Sequence, residues 1–343
     1  PDLDSPEDAA AIADKIMRYL HQPLAVLGRS ISTSLSLGLA VAPGDGHEFE
    51  TLLRNAETAM YKAKKDGRQT WRYFDASMNE DALERLNLLN DLRQALGADQ
   101  LLLHYQPQID LRNGTLIGVE ALIRWQHPQF GLVPPARFIP AAEESRLIVP
   151  IGEWVIQQAC QHVMAWQRAG VRVPQVAVNV SAIQLQYGNI EQQVLQALAS
   201  SGLPAAMLEL EITESSLIDN PEQVMATLKR LKAMGVKLSI DDFGTGYSSL
   251  AYLRNLAVDK LKIDQSFVRD LTSSADSCAI VTAIVHMAHS LGLSTIAEGV
   301  EDDASAQALV QLGCLQAQGY LYAKPLPEAQ LRAFVRERAS AGI

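Results

Sequence analysis

The sequence predicts an α/β protein built as a (β/α)8 TIM-like barrel with one antiparallel strand, preceded by a smaller α/β segment. Three observations carry this. From about residue 100 onward, strand-like runs recur eight times, with helix-like stretches between most of them. Strand and helix in alternation make a parallel sheet, and eight such units close into a barrel. The first two runs, 101–109 (LLLHYQPQI) and 116–125 (LIGVEALIRW), are joined only by a short link containing Asn113-Gly114, a hairpin turn pair. A link that short cannot make a parallel crossover, so these two strands are antiparallel. Finally, 343 residues at 48% hydrophobic suffice for a large core and more than one domain.

In chain order, residues 6–20 (PEDAAAIADKIMRYL) read as a helix and 30–41 (SISTSLSLGLAV) alternate like a strand. Residues 50–68 form an amphipathic helix ending near Gly67, and 71–75 (WRYFD) a last strand. Residues 77–97 are charged, with leucines at helical spacing, and read as a connecting helix. The remaining strand-like runs are 176–180, 207–212, 236–241, 258–263, 294–298 and 315–319. Helices are expected at 151–169, 189–201, 221–234, 275–291 and 302–312. The division expected is an N-terminal α/β part over 1–75, a connecting helix over 76–99 and the barrel over 100–343.

Composition excludes several classes. A net charge of −10 argues against broad binding to a DNA or RNA backbone, which relies on Lys and Arg. An acidic chain can still take a phosphate ligand if metal ions stand between the two. No apolar run approaches the length of a membrane span. Cys160, Cys278 and Cys314 are odd in number and match neither a zinc spacing nor a disulfide framework, so a reducing cytoplasm is expected. The chain starts at Pro1 without a signal peptide and reads as a piece of something longer; any upstream sensor or membrane anchor lies outside it.

Glu120 stands in an otherwise apolar run, GVEALIRW. In a barrel, functional groups sit at the C-terminal ends of strands. The polar residues at those ends are Glu120, Asn179, Glu211 with Glu214 just beyond it, Asp241, Asp242, Lys262, Asp264, Glu298 and Gln318. A lone Asp after a strand is usually a turn former or helix cap, which suffices for Asp219, Asn220 and Asp270. A Glu inside an apolar strand resists that reading, because an unpaired buried charge costs several kcal/mol. Carboxylates recurring at one rim repel one another unless cations neutralise them. Oxygen ligands without His or Cys select Mg²⁺ or Mn²⁺. His104, His127, His162, His286 and His289 show no ligand spacing.

Residues from about 85 to 338 resemble an EAL domain, the phosphodiesterase of cyclic di-GMP. The likeness rests on "EALIRW" (120–125), "NVS" (179–181), "ELEITES" (209–215), "DDFGTGYSSL" (241–250), "LKID" (261–264), "AEGVE" (297–301) and "QGYLYAKPLP" (318–327), in order and at family spacing. The resemblance implies hydrolysis to linear pGpG and assigns roles. Glu120, Asn179, Glu211 and Asp241 match the ligands of one metal; Asp241 also bridges, with Asp242 serving a second. Lys262 matches the lysine that helps activate the attacking water. Glu298 and Gln318 match residues orienting the second metal's water shell. Gln106 and Arg124 match contacts to the nucleotide and its phosphate. Glu214 matches the glutamate that holds the loop DFGTGYSS, in which Gly244 and Gly246 give backbone freedom and Tyr247 and Ser248 position it. Family members also pair as homodimers near this loop. Members that have lost ligands bind cyclic di-GMP without cutting it, so a receptor is the alternative; the ligand set here is complete.

Residues 1 to about 75 resemble the C-terminal half of a GGDEF domain, through "ISTSLSLGLAV" and "LLRNAETAMYKAKKDGRQTWRYF". "GDGHEF" (44–49) imitates the family signature but follows the wrong strand. The signature hairpin and its metal aspartate belong upstream of Pro1, so this part is expected to be inactive.

Overall fold

The computed structural model describes residues 6–20, 24–26, 29–31, 34–67, 69–217, 221–245, 253 and 256–340. The chain divides into two compact units, Pro1–Asp91 and Leu92–Ile343.

In the first unit, α1 (Pro6–Leu20) precedes a short antiparallel pair, β1 (Leu24–Val26) and β2 (Arg29–Ile31). β3 (Leu37–Leu39) pairs in parallel with β4 (Trp71–Tyr73), and α2 (Phe49–Lys65) is the crossover between them. α2 lies so close on β3 that a Cβ on Gly38 would sit 1.9 Å from the Ala56 carbonyl oxygen. The long strand expected over 30–41 is found as two short pieces, the end of β2 and then β3, which pair with different partners, and β4 offers β3 only three residues to pair with. Residues 32–33 lie outside the described residues. The segment containing GDGHEF is the turn into α2. There Asp45 accepts from the Val41 N–H at 2.7 Å, and its carbonyl accepts from buried Asn55 at 2.7 Å. α3 (Ser77–Ala95) contains the division between the units.

The second unit opens with β5 (Leu101–Asp110), then β6 (Leu116–His127) and β7 (Gly131–Val133). α4 (Pro135–Glu144) and α5 (Ile148–Arg168) lead to β8 (Val176–Val180). α6 (Ala182–Tyr187) and α7 (Ile190–Ser201) lead to β9 (Leu208–Thr213), and α8 (Pro221–Ala233) to β10 (Lys237–Phe243). β11 (Lys260–Ile263), α9 (Gln265–Arg269), α10 (Ala275–Ser290), β12 (Ser294–Ala297), α11 (Asp303–Leu312), β13 (Gln316–Ala317), β14 (Leu326–Pro327) and α12 (Glu328–Ser340) complete it.

Eight strands close the barrel in the order β5-β13-β12-β11-β10-β9-β8-β6, with β6 returning to β5. β5 is antiparallel to both its barrel neighbours, and every other barrel pairing is parallel. β7 and β14 lie outside the ring, on β6 and β5. The β6–β7 hairpin was not expected from sequence. Its turn is held by the His127 imidazole, whose Nδ1 accepts from the N–H groups of Gln129 and Phe130 at 3.1 and 3.2 Å. Helix ends follow local chemistry. Ser181 and Gln184 form a capping box on α6, and Asp302 caps α11, which ends on left-handed Gly313.

Candidate active site

The strand register brings the expected rim residues level with one another. Glu120 on β6 is opposite Gln106 on β5, and Asn179 on β8 is opposite Glu211 on β9. Lys262 is on β11 and Asp241 on β10. Glu298 follows β12 and donates its N–H to the Ile263 carbonyl at 3.1 Å; Gln318 follows β13 and donates to the Ala297 carbonyl at 2.9 Å. Those two bonds tie the strand ends that carry them to the adjacent strands.

Lys262 is the hub. Its Nζ is 2.6 Å from Glu211 Oε2, 2.6 Å from Glu298 Oε1, 3.0 Å from Asp241 Oδ1 and 3.5 Å from Glu120 Oε2, with the lysine side chain fully buried. Glu120 is held from two further sides: Asn179 Nδ2 donates to Oε1 and Gln318 Nε2 to Oε2, both at 2.6 Å. Gln318 Nε2 also reaches Glu298 Oε1 at 2.9 Å, while its own oxygen accepts from Gln108 Nε2 at 3.1 Å.

Asp241 and Asp242 are consecutive, and a regular strand would send them to opposite faces. Here the β10–β11 register shifts between Ile240 and Phe243, and Asp242 takes φ 54°. The bulge turns both carboxylates to one rim. Oxygens of Asp241, Asp242 and Glu298 lie within 4.8 Å of one another.

Charge is in excess on the acidic side. Burial works against the Lys262 ammonium, but Asp241, Glu120, Glu211 and Glu298 outweigh it and hold its pKa well above the usual lysine value. Burial also opposes the Glu120 anion, yet Lys262 and the bonds from Gln318 and Asn179 keep it below the usual carboxylate value. Glu211 goes the other way: burial and the charge of Glu120 push it well up, beyond what Lys262 relieves. Burial pushes Glu298 up to about 8, against the opposing pull of Lys262. Asp242 rises to about 6 through burial and the neighbouring charges of Asp241 and Asp264. Glu211 Oε1 is buried with no donor among the described residues. One lysine does not neutralise these carboxylates, and the donor set is all oxygen, which fits hard divalent cations.

Above this layer lies a cleft of about 300 Å³ whose lining includes Gln106, Glu120, Asp241, Glu298 and Gln318. Gln106 also donates to the Ala323 carbonyl at 3.3 Å. Arg124 is half-buried further along β6, outside that lining, and donates to the Ile123 carbonyl at 2.8 Å. Glu214 is buried in the short 3-10 turn after β9, and its Oε2 accepts from the Gly244 N–H at 3.0 Å. Gly246, Tyr247 and Ser248 lie outside the described residues. Sequence reading missed Gln108, which shares a β5 face with Gln106 two residues away, and missed Leu122, Gln265, Glu301 and Tyr320 in the cleft wall. The i, i+2 spacing in YQPQ was the available signal for Gln108.

A closed barrel whose strand ends converge on one buried lysine and a ring of carboxylates and amides defines a class of oxygen-ligand barrel sites. Residues 89–325 match the EAL domain family, and the chain belongs to it. Residues 1–70 match the diguanylate cyclase GGDEF domain. The chain is similar to the bifunctional diguanylate cyclase/cyclic di-GMP phosphodiesterase MucR of Pseudomonas aeruginosa, 46% identical over 330 residues, covering 96% of this chain and 48% of that protein. It is also similar to the cyclic di-GMP phosphodiesterase PdeR of Escherichia coli, 42% identical, covering 92% of this chain and 48% of that protein. The chain thus spans about half the length of these curated relatives. Among solved structures, the PaMucR phosphodiesterase in complex with c-di-GMP is 47% identical with a TM-score of 0.69, covering 71% of this chain and 99% of that one.

Proposed function

We propose that this chain is a metal-dependent phosphodiesterase of bacterial second-messenger signalling that opens one 3′–5′ linkage of cyclic di-GMP to give linear 5′-pGpG. The observation that carries the reading is Lys262, buried at contact distance from four carboxylates that come from four different strand ends. Similarity to MucR and PdeR, whose names give this substrate, supports it.

Glu120, Asn179, Glu211 and Asp241 would hold one Mg²⁺ or Mn²⁺, and Asp241 with Asp242 a second. Bound divalent ions supply the Lewis acidity that polarises a phosphoryl oxygen and makes water acidic enough to attack at neutral pH. The chain's own groups do the rest. Lys262, kept protonated by its carboxylates, acts as a fixed positive charge and N–H donor beside the nucleophile, not as a base. Gln318 holds Glu120 and Glu298 in one bonded row, so neither swings when substrate enters. Gln106 meets the nucleotide from the cleft wall, and Arg124 binds phosphate by turning from the Ile123 carbonyl, since charge-assisted bonds are the stronger ones. Water oxygen joins phosphorus as the bond from phosphorus to the 3′ oxygen breaks. The 3′ oxygen leaves as a hydroxyl, and the phosphate stays on the 5′ side. Glu214 holds the loop that begins at Gly244.

The rest of the chain fits around this activity. Residues 1–75 are the GGDEF-like part, 76–99 a connecting helix and 100–343 the phosphodiesterase domain. Two copies pair through the EAL domain in the cytoplasm. No described helix is long and apolar enough to cross a membrane. Incubating purified protein with cyclic di-GMP and Mg²⁺ and resolving the products by chromatography tests the central claim. Accumulating pGpG is expected; tight binding with no product would replace the enzyme by a receptor.

A further inference from the structure

A second buried lysine–glutamate pair lies beneath the first. β9 carries Glu209 and Glu211, and β11 carries Lys260 and Lys262; residues two apart in a strand share a face, so all four point into the barrel. Lys260 Nζ donates to Glu209 Oε2 at 2.7 Å and Oε1 at 3.1 Å, embracing both oxygens. The two side chains are 6% and 1% exposed. β9 and β11 are not neighbours, because β10 lies between them. Ser239 of β10 is level with Glu211 on one side and Lys260 on the other. Each lysine therefore reaches across β10 to the glutamate one pleat below its own level: Lys260 to Glu209, Lys262 to Glu211. Ser239, fully buried, has a side chain too short to stand between them.

Stability does not account for this lower pair. Replacing a buried ion pair by apolar side chains of similar volume is often neutral or stabilising. A two-oxygen contact supplies something an apolar pair lacks, a fixed distance between the two strands that deliver Glu211 and Lys262. Barrel interiors are filled in layers, so the layer below sets the footing of the one above. Glu211 depends on that footing, since Lys262 is the donor to its Oε2 and its Oε1 has none among the described residues.

We propose that Glu209 and Lys260 are positioning residues that hold β9 against β11 so that Glu211 and Lys262 are set in ligand geometry before a cation binds. The proposal rests on the metal-dependent reading above. Displacements of about 1 Å far from the chemistry can cost on the order of 100-fold in rate, and removing groups that orient metal ligands costs about 10–100-fold in metal affinity.

The test is the double variant E209Q/K260M, which removes both charges at near-constant volume and leaves neither unpaired. Mn²⁺ binding is measured calorimetrically without substrate, and kcat and KM are measured with cyclic di-GMP. The expected result is a melting temperature close to wild type, Mn²⁺ binding weaker by about tenfold, a lowered kcat and an unchanged KM. E209D, which keeps the charge and shortens the reach, is the second variant should the double one not fold, and is expected to weaken Mn²⁺ binding in the same direction. Wild-type Mn²⁺ affinity and kcat in a folded variant would overturn the proposal, whatever happens to the melting temperature. If the unaltered protein cuts no cyclic di-GMP, the phosphodiesterase reading falls, while the Mn²⁺ titration still decides the role of the pair.

Discussion

Asp241 and Asp242 are neighbours in the chain and reach one acidic cluster because β10 bulges where they sit. Asp242 sits at φ 54°, in the left-handed region, and its N–H donates to Asp241 Oδ1 at 3.0 Å. Asp and Asn tolerate this conformation better than other side chains, and a β-branched residue is strained there. Asp242→Asn should therefore keep the fold and raise the half-saturating Mg²⁺ concentration, by about 10–100-fold. Asp242→Val should do the same and also lose about 1–2 kcal/mol of stability. Melting curves alongside Mg²⁺ titrations separate the two effects, and equal melting temperatures for both variants would show that the backbone argument is wrong.

Lys262 neutralises part of a buried cluster, and the charge that remains is what a divalent cation would offset. Removing it leaves carboxylates uncompensated, and breaking buried pairs costs about 3–5 kcal/mol. Lys262→Met should melt well below wild type in EDTA and recover most of the difference in excess Mg²⁺. It should lose most of its rate while still binding cyclic di-GMP, since a group acting in the transition state lowers rate more than affinity. A folded variant with near wild-type turnover at saturating substrate would remove Lys262 from the chemistry.

Much of this was legible in the sequence because barrel geometry converts strand-end position directly into spatial proximity. Glu120, Asn179, Glu211, Asp241, Lys262, Glu298 and Gln318 are scattered over nearly 200 residues of chain, yet each ends a strand-like run, and parallel pairing makes such ends converge. The illegible parts have local causes. The β6–β7 hairpin turns on a histidine accepting backbone N–H groups, a role the usual turn signals assign to Asn, Asp or Ser. Gln108 bonds a residue 210 positions away, and nothing in its own neighbourhood announces that. The Lys260–Glu209 pair was hidden because lysines and glutamates alternating in a strand read as solvated until the interior face is known.

The cation itself should matter. Mg²⁺ and Mn²⁺ demand near-octahedral oxygen geometry, whereas Ca²⁺ is larger and takes looser, higher coordination. Activity should appear with the first two and be inhibited by the third. Excess EDTA should abolish it. Full activity in EDTA, with no metal detected in the protein, would reject the metal-dependent reading.

His162 offers a pH test away from the site. Burial holds its imidazole below the ordinary 6.5, against a smaller upward pull from Glu328, and Nδ1 lies 2.8 Å from the Tyr105 hydroxyl. With the folded-state value depressed, the unfolded chain takes up the proton first. The contribution to stability is full above about pH 6.5 and is lost as pH falls from there through the folded-state value. The difference in melting temperature between wild type and His162→Gln should thus shrink or reverse from pH 7.5 to pH 5. A difference constant across that range would mean the imidazole titrates alike in both states.

Glu214 is the residue whose two readings are most cleanly separable. As a first-turn acid of the 3-10 turn over Glu214–Leu217 it would change stability by only about 1 kcal/mol. The structure gives its carboxylate a more distant partner, since Oε2 accepts the N–H of Gly244, two residues after Asp242. Gly244 is at φ 101°, and a Cβ there would press on Phe267 and Ile284 at 3.0 and 3.1 Å, so the backbone at this point is confined from both sides. The Glu214 bond adds the direction in which the chain leaves β10, only two residues after Asp242. Glu214→Ala should loosen that exit and raise the half-saturating Mg²⁺ concentration by about tenfold, with partial recovery of rate at high Mg²⁺. Glu214→Gln keeps an oxygen that can accept the Gly244 N–H and should fall between alanine and wild type. The turn reading expects a slightly lower melting temperature and unaltered kinetics for both substitutions. Mg²⁺ titrations of the two variants decide between them: an unchanged half-saturating concentration and maximal rate in Glu214→Ala would confine Glu214 to the turn.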